Sequence, residues 1–144
     1  MRDASSLLLL FTACLTTTSC RDDPVRATET CQHGGATITV TRGTPPTFSW
    51  SPQCGVDYLV VARDDATADA PPMWSVSSGY QFDRSAEPNT ILPGVTYGVV
   101  PNGAVAGSPA QPLMPGTRYI VVLMAADRTP HPGTYTVATR AFVP

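Results

Sequence analysis

The stretch Leu113-Met-Pro-Gly-Thr-Arg-Tyr119-Ile-Val-Val-Leu-Met-Ala-Ala126 constrains the fold of this chain more than any other. Pro115 sets its backbone φ near about −65°, and Gly116 accepts positive φ, so the pair turns the chain. From Tyr119 to Ala126 there is no charge and no breaker, the pattern of a strand covered on both faces. A Tyr at the mouth of such a strand, directly after a Pro-Gly turn, predicts a corner. Its ring enters the core, and its hydroxyl bonds back to upstream backbone.

The rest of the chain has the same character. Fifteen Pro and 11 Gly in 144 residues predict many short elements separated by turns, and the length suits one domain with appendages. Hydrophobic residues make up 42% of the chain, enough for a real core, so disorder is not expected. Net charge is −2, with no basic footprint for nucleic acid. Residues 36–41 alternate, with Ile38 and Val40 on one face of a half-buried strand. Thr47 to Trp50 forms a second short strand. Val56 to Ala62 forms a third, with Tyr58, Val60 and Ala62 on one face. Met73 to Ser77 reads as an edge strand carrying Trp74 and Val76. Val95 to Val100 is another strand, behind its own Pro93-Gly94 turn. Residues 102–112 are either a surface loop or hide a short strand. Thr134 to Phe142 is the last strand, with Tyr135, Val137, Thr139 and Ala141 on one face. Leu92-Pro-Gly-Val-Thr-Tyr97 and Met114-Pro-Gly-Thr-Arg-Tyr119 repeat one turn chemistry. No third copy exists, so the chain is not a solenoid.

The order Leu113-x-Pro115-Gly116-Thr117-x-Tyr119 resembles the corner before strand F of fibronectin type III domains. Trp50, closing its strand with Pro52 two places on, resembles the core Trp of the same family. The resemblance covers residues 31–144 and implies an all-β fold: a single antiparallel sandwich of the immunoglobulin and fibronectin type III kind. Trp50, Tyr58, Tyr119 and Phe48 are expected in its core. The short link between the second and third strands, and the extra material over 79–112, depart from the family pattern.

The first residues read as an address. Leu7 to Phe11 is an unbroken apolar run, too short to span a bilayer but suited to a signal peptide over residues 1–19. It ends in Thr16-Thr-Thr-Ser19-Cys20. Small residues just before a Cys resemble the lipobox of bacterial lipoproteins, although Thr17 stands where that family usually carries Leu. The resemblance implies lipidation at Cys20, a flexible tether over 20–30, and a membrane as partner through the anchor. Arg21, in place of the Asp that often retains lipoproteins at the inner membrane, implies the outer membrane. The alternative is cleavage and release to the periplasm or outside.

With Cys14 leaving in the signal and Cys20 carrying lipid, Cys31 and Cys54 remain as a pair in an oxidising compartment, and a disulfide between them is expected. In a sandwich of this kind, the start of the first strand and the link from second to third lie at the same end, which suits the bridge. His33 beside Cys31 has no second ligand pair near it, so no metal is expected.

No motif of nucleophilic, metal-dependent or phosphate-binding chemistry occurs, so no catalytic residue and no cofactor is expected. Asp64, Asp65 and Asp69 lack EF-hand spacing and read as a solvated loop. His33 and His131 read as loop residues. Trp74, Tyr80 and Phe82 are the candidate binding residues, an aromatic patch for stacking on glycan or docking an envelope protein; the alternative is that they cover the open end of the sandwich. Two further readings stand beside that of a binding module. One is a purely structural envelope lipoprotein with a polar, patch-free surface. The other is a small secreted enzyme, which needs a histidine beside a nucleophile and a carboxylate.

Overall fold

A computed structural model describes residues 29–79, 90–127 and 133–144. The described chain is all-β, with two antiparallel sheets packed face to face as a sandwich. The strands are β1 (Thr37–Thr41), β2 (Thr47–Ser51), β3 (Tyr58–Arg63), β4 (Trp74–Ser77), β5 (Val95–Thr96), β6 (Val105–Ser108), β7 (Tyr119–Asp127) and β8 (Gly133–Phe142). The smaller sheet runs β1-β2-β5 and the larger runs β6-β4-β3-β7-β8.

Alternation along the strands builds the core. Phe48 and Trp50 of β2 face Leu59 and Val61 of β3, Trp74 and Val76 of β4, and Tyr119, Val121 and Leu123 of β7. These side chains are buried, and they draw the sheets together by removing apolar surface from water. Phe142, near the chain's end, closes one side of the core. Its ring lies 5.4 Å from that of Phe48 and 5.9 Å from that of Tyr119.

The structure departs from the sequence-based expectations in five places. β7 is not evenly covered on both faces: Ile120, Val122 and Met124 alternate with the core residues and are half-buried, and only at Ala125 and Ala126 are successive residues both buried. Tyr58 shares that outer face. It is half-buried, and the inward residues of β3 are Leu59 and Val61, one position out of step with it. β4 is not an edge, because β6, hidden in the Gly- and Pro-rich segment, pairs alongside it. Gly107 makes that pairing close. Having no side chain, it leaves room for the Ser75 hydroxyl to accept the Ser108 N–H at 2.8 Å. β5 stops after two residues because Gly98 takes φ of 80° and the Val99 N–H turns back to the Thr96 carbonyl at 3.0 Å. β8 does not keep one face, because the β7–β8 register shifts at Leu123/Met124. Val137 and Phe142 therefore both point inward, although they are an odd number of residues apart.

Candidate functional site

The corner ahead of β7 forms as its residues require. Gly116 takes φ of 76°, and the Thr117 N–H bonds the Met114 carbonyl at 3.2 Å, which reverses the chain. Leu113 packs against the core, while Pro115 and Gly116 are exposed. Tyr119 is 1% exposed, and its hydroxyl accepts the Met114 N–H at 2.9 Å. The similar segment before Tyr97 turns at Gly94, with φ of 100°. Its tyrosine bonds differently. The Tyr97 hydroxyl faces the Gln111 carbonyl at 2.8 Å and the Met73 carbonyl at 3.1 Å, tying the approaches to β4 and β7 together. Burial pushes this phenol above its ordinary pKa.

Cys31 and Cys54 are joined, with Cα atoms 4.9 Å apart and 23 residues of separation. The surrounding backbone is knitted at the same end. The Cys31 N–H donates to the Gly55 carbonyl at 2.8 Å, and the Gly55 N–H donates to the Glu29 carbonyl at 2.9 Å. The Trp50 indole N–H reaches the Cys54 carbonyl at 2.8 Å, and the Tyr135 hydroxyl reaches the Cys31 carbonyl at 2.7 Å.

Of the candidate binding aromatics, Trp74 is 1% exposed and stacks edge-on against Tyr97, with ring centroids 5.2 Å apart. Its indole belongs to the core and offers no surface, because position 74 falls on the inward register of β4 opposite Val61. Tyr80, Phe82, Cys20, His131, the signal segment 1–19 and the tether up to residue 28 lie outside the described residues. His33 is exposed, with its ring 6.1 Å from that of Tyr135. Among the described residues no hydrogen bond joins His33 to a hydroxyl or carboxylate, and no cluster of His, Cys, Asp and Glu is arranged to hold a metal ion. In the loop after β3, Arg63 grips Asp65 at 2.9 Å and holds its carboxyl below the usual range, while Arg118 pairs with Asp64 at 2.8 Å.

Two features escaped sequence reasoning. The first is Asp57, fully buried at the entrance to β3. Its carboxylate accepts the Ser78 hydroxyl at 3.0 Å and the Ala126 N–H at 2.8 Å, so it joins the ends of β4 and β7. A lone Asp inside the apolar run Val56 to Val61 was the available signal, because such a group is buried only when hydrogen-bonded.

The second is the outer face of the larger sheet. Its register sets Val122 beside Val60, Ile120 beside Ala62 and Met124 beside Tyr58. On the β8 side the neighbours are Ala141, Thr139 and Thr136, and on the β4 side Ser75 and Ser77. Val105 of β6, 54% exposed, continues the row through Ser77. Not one of these side chains carries a charge. The apolar members stand apart from the buried core cluster; those on β3, β7 and β8 are half-buried, and Val105 is exposed. Beyond Ile120 along the strand, Arg118 is already paired with Asp64. The face thus has an apolar centre and a rim of hydroxyls, the anatomy of a contact surface.

A separate groove of about 370 Å³ lies beside β5, with Ile91, Leu92, Val95 and Val99 in its walls. Ser78 and Thr90 also line it, on either side of residues 80–89, which are outside the described residues.

Comparisons with protein families, with curated proteins and with solved structures return no match.

Proposed function

We propose that this chain is an exported, lipid-anchored envelope protein whose fibronectin type III-like sandwich serves as an interaction module. The carrying observation is the uncharged, half-buried outer face of the larger sheet, centred on Val60 and Val122. A purely structural envelope protein calls for a polar surface, and this face argues against it. The sheet orders β1-β2-β5 and β4-β3-β7-β8, together with the Tyr119 corner, support the family resemblance; β6 is an addition to it.

The scaffold suits such a role. The bridge and the Asp57 contacts fix one end of the sandwich, and the Tyr119 corner fixes the other. The face lies on strands between these fixed ends, so its side chains are presented with little ordering cost on binding. The anchor is tested by palmitate labelling: the wild type takes label and Cys20→Ala does not, and equal labelling of both refutes it. The module is tested by crosslinking in envelope fractions. Capture that Val122→Arg abolishes supports the face as the contact, and capture unchanged in that variant removes the face from the proposal.

A further inference from the structure

We infer that the seam between the two sheets carries an oxyanion site, in which Arg42 and Arg140 together hold a phosphate-class dianion. The site lies apart from the outer face of the larger sheet and does not depend on it. β1 and β8 are outermost strands of the two sheets, and they run beside one another. The Gly34 N–H meets the Thr136 carbonyl at 3.3 Å, which ties the approach to β1 onto β8. Two grooves, of about 400 Å³ and about 250 Å³, lie along this seam, and Arg140 lines both.

Neither arginine stands where strand alternation favours a charge. Arg140 pairs across the sheet with Val121, which is fully buried, and it lies between Ala138 and Phe142 on the core-facing register of β8. Ile38 and Val40 face the core from β1, and Arg42 is next in that alternation, just past the strand's end. Both arginines are nevertheless exposed, because the seam is open beside them. They line the smaller groove together, with Val40, Pro46 and Phe142 as its apolar wall.

Charge names the ligand. Arg63 and Arg118 are matched with Asp65 and Asp64. Among the described residues, no carboxylate lies within 4 Å of Arg42 or Arg140, and no acidic side chain lines either groove. Two like charges facing one recess repel, and a dianion cancels both where a monoanion cancels one. The apolar wall lowers the local dielectric, so the attraction exceeds that on open surface. Each guanidinium offers a planar fork of N–H donors that matches the oxygens of a phosphate group. An inward charge also keeps an outermost strand from pairing with another chain. That role is filled by each arginine alone and needs no shared recess.

The experiment titrates the purified full chain, its Cys31–Cys54 bridge formed, with sodium phosphate at mildly alkaline pH, where phosphate is a dianion. Sodium chloride holds the ionic strength constant. Nitrogen–proton NMR follows the arginine Nε–H groups and the backbone amides of residues 40–43 and 139–142. The expected result is a saturable shift confined to these groups and absent with chloride alone. Arg140→Gln and, separately, Arg42→Gln should each weaken binding about tenfold, the loss of one charge-assisted contact. Arg63→Gln, which removes a paired arginine, should leave binding unchanged. Near-ultraviolet circular dichroism verifies that each variant is folded. Vesicles of phosphatidic acid, set against phosphatidylcholine, form the second arm. Cosedimentation with the former that both seam variants lose, without response to free phosphate, supports the site and assigns it to a lipid phosphate monoester. No response to free phosphate or to vesicles overturns the inference, as does a response that survives both substitutions. Variants that aggregate while the wild type ignores phosphate and vesicles alike leave the arginines as guards of the strand edges and overturn it too.

Discussion

Replacing Tyr119 with Phe keeps the ring in the core and deletes one oxygen. The lost contact is the acceptor of the Met114 N–H at 2.9 Å. Loss of a neutral hydrogen bond costs about 1 kcal/mol, rising toward about 2 when the widowed partner stays dry. The side of the corner that carries Met114 is wet, that residue being 62% exposed, so water reaches the freed amide and the cost settles near about 1–1.5 kcal/mol. For a domain of this size that is roughly 4–8 °C in melting temperature. Tyr119→Ala removes the ring as well. It opens a cavity beside Phe142 and should cost about 3–5 kcal/mol. Urea unfolding followed by the fluorescence of Trp50 and Trp74, both buried, measures each step. The slope should stay the same and the midpoint should fall. A Tyr119→Phe midpoint within about 0.3 kcal/mol of wild type would show that the corner is held by ring packing alone, and the argument from the hydroxyl would be wrong.

Asp57→Ala strips the acceptor from the buried Ala126 N–H and the Ser78 hydroxyl and should cost about 2–4 kcal/mol in the same assay, with Asp57→Asn costing less because an amide can accept from one and donate to the other. Equal, negligible costs would contradict a structural role for the carboxylate. Removing the bridge as Cys31→Ala/Cys54→Ala should destabilise by roughly 3 kcal/mol, the chain-entropy value for a closure of this length, read as a lower urea midpoint without change of fold. Tyr97 supplies a pH test. Its phenol pKa is raised on folding, so the folded state holds more protons than the unfolded chain once pH passes the ordinary phenol value of about 10. Its contribution is complete below that value and is lost as pH climbs through the folded pKa. The fall in stability above about pH 10 should be shallower in Tyr97→Phe, and identical slopes would refute the assignment.

Much of the architecture was legible because period-two alternation and Pro-Gly turns report directly on strands. Ile38, Phe48, Trp50 and Tyr119 occupy the core positions that this pattern assigns. The pairing of Cys31 with Cys54 was legible through the count of cysteines left once Cys14 and Cys20 are set aside on the lipoprotein resemblance. Less could be read where alternation fails to say which face turns inward. Val56 to Ala62 is apolar on both sides, so Tyr58 was expected in the core that Leu59 and Val61 fill. Trp74 reads as a candidate partner contact because it lies with Tyr80 and Phe82 in the less regular middle of the chain, where alternation does not tell a surface patch from cover over the sandwich's open end. Recognising the cover from β6 required pairing between residues far apart in sequence, around Gly107, where side-chain hydrophobicity carries no message. The uncharged run of β7 reads as two covered faces, and the tertiary packing leaves Ile120, Val122 and Met124 of the outer face half-buried. That difference is the whole basis for locating a contact surface.

The disulfide has a mechanical consequence. Tension arriving from the chain ahead of residue 31 passes at Cys31 through covalent sulfur to Cys54, bypassing the loop that holds β1 and β2. Those two strands therefore bear no load, and β1, an outermost strand secured by pairing with β2 alone, is shielded from being peeled away like a zip. Force applied ahead of residue 31 is delivered instead to the entrance of β3, beside the buried carboxylate that clasps β4 and β7.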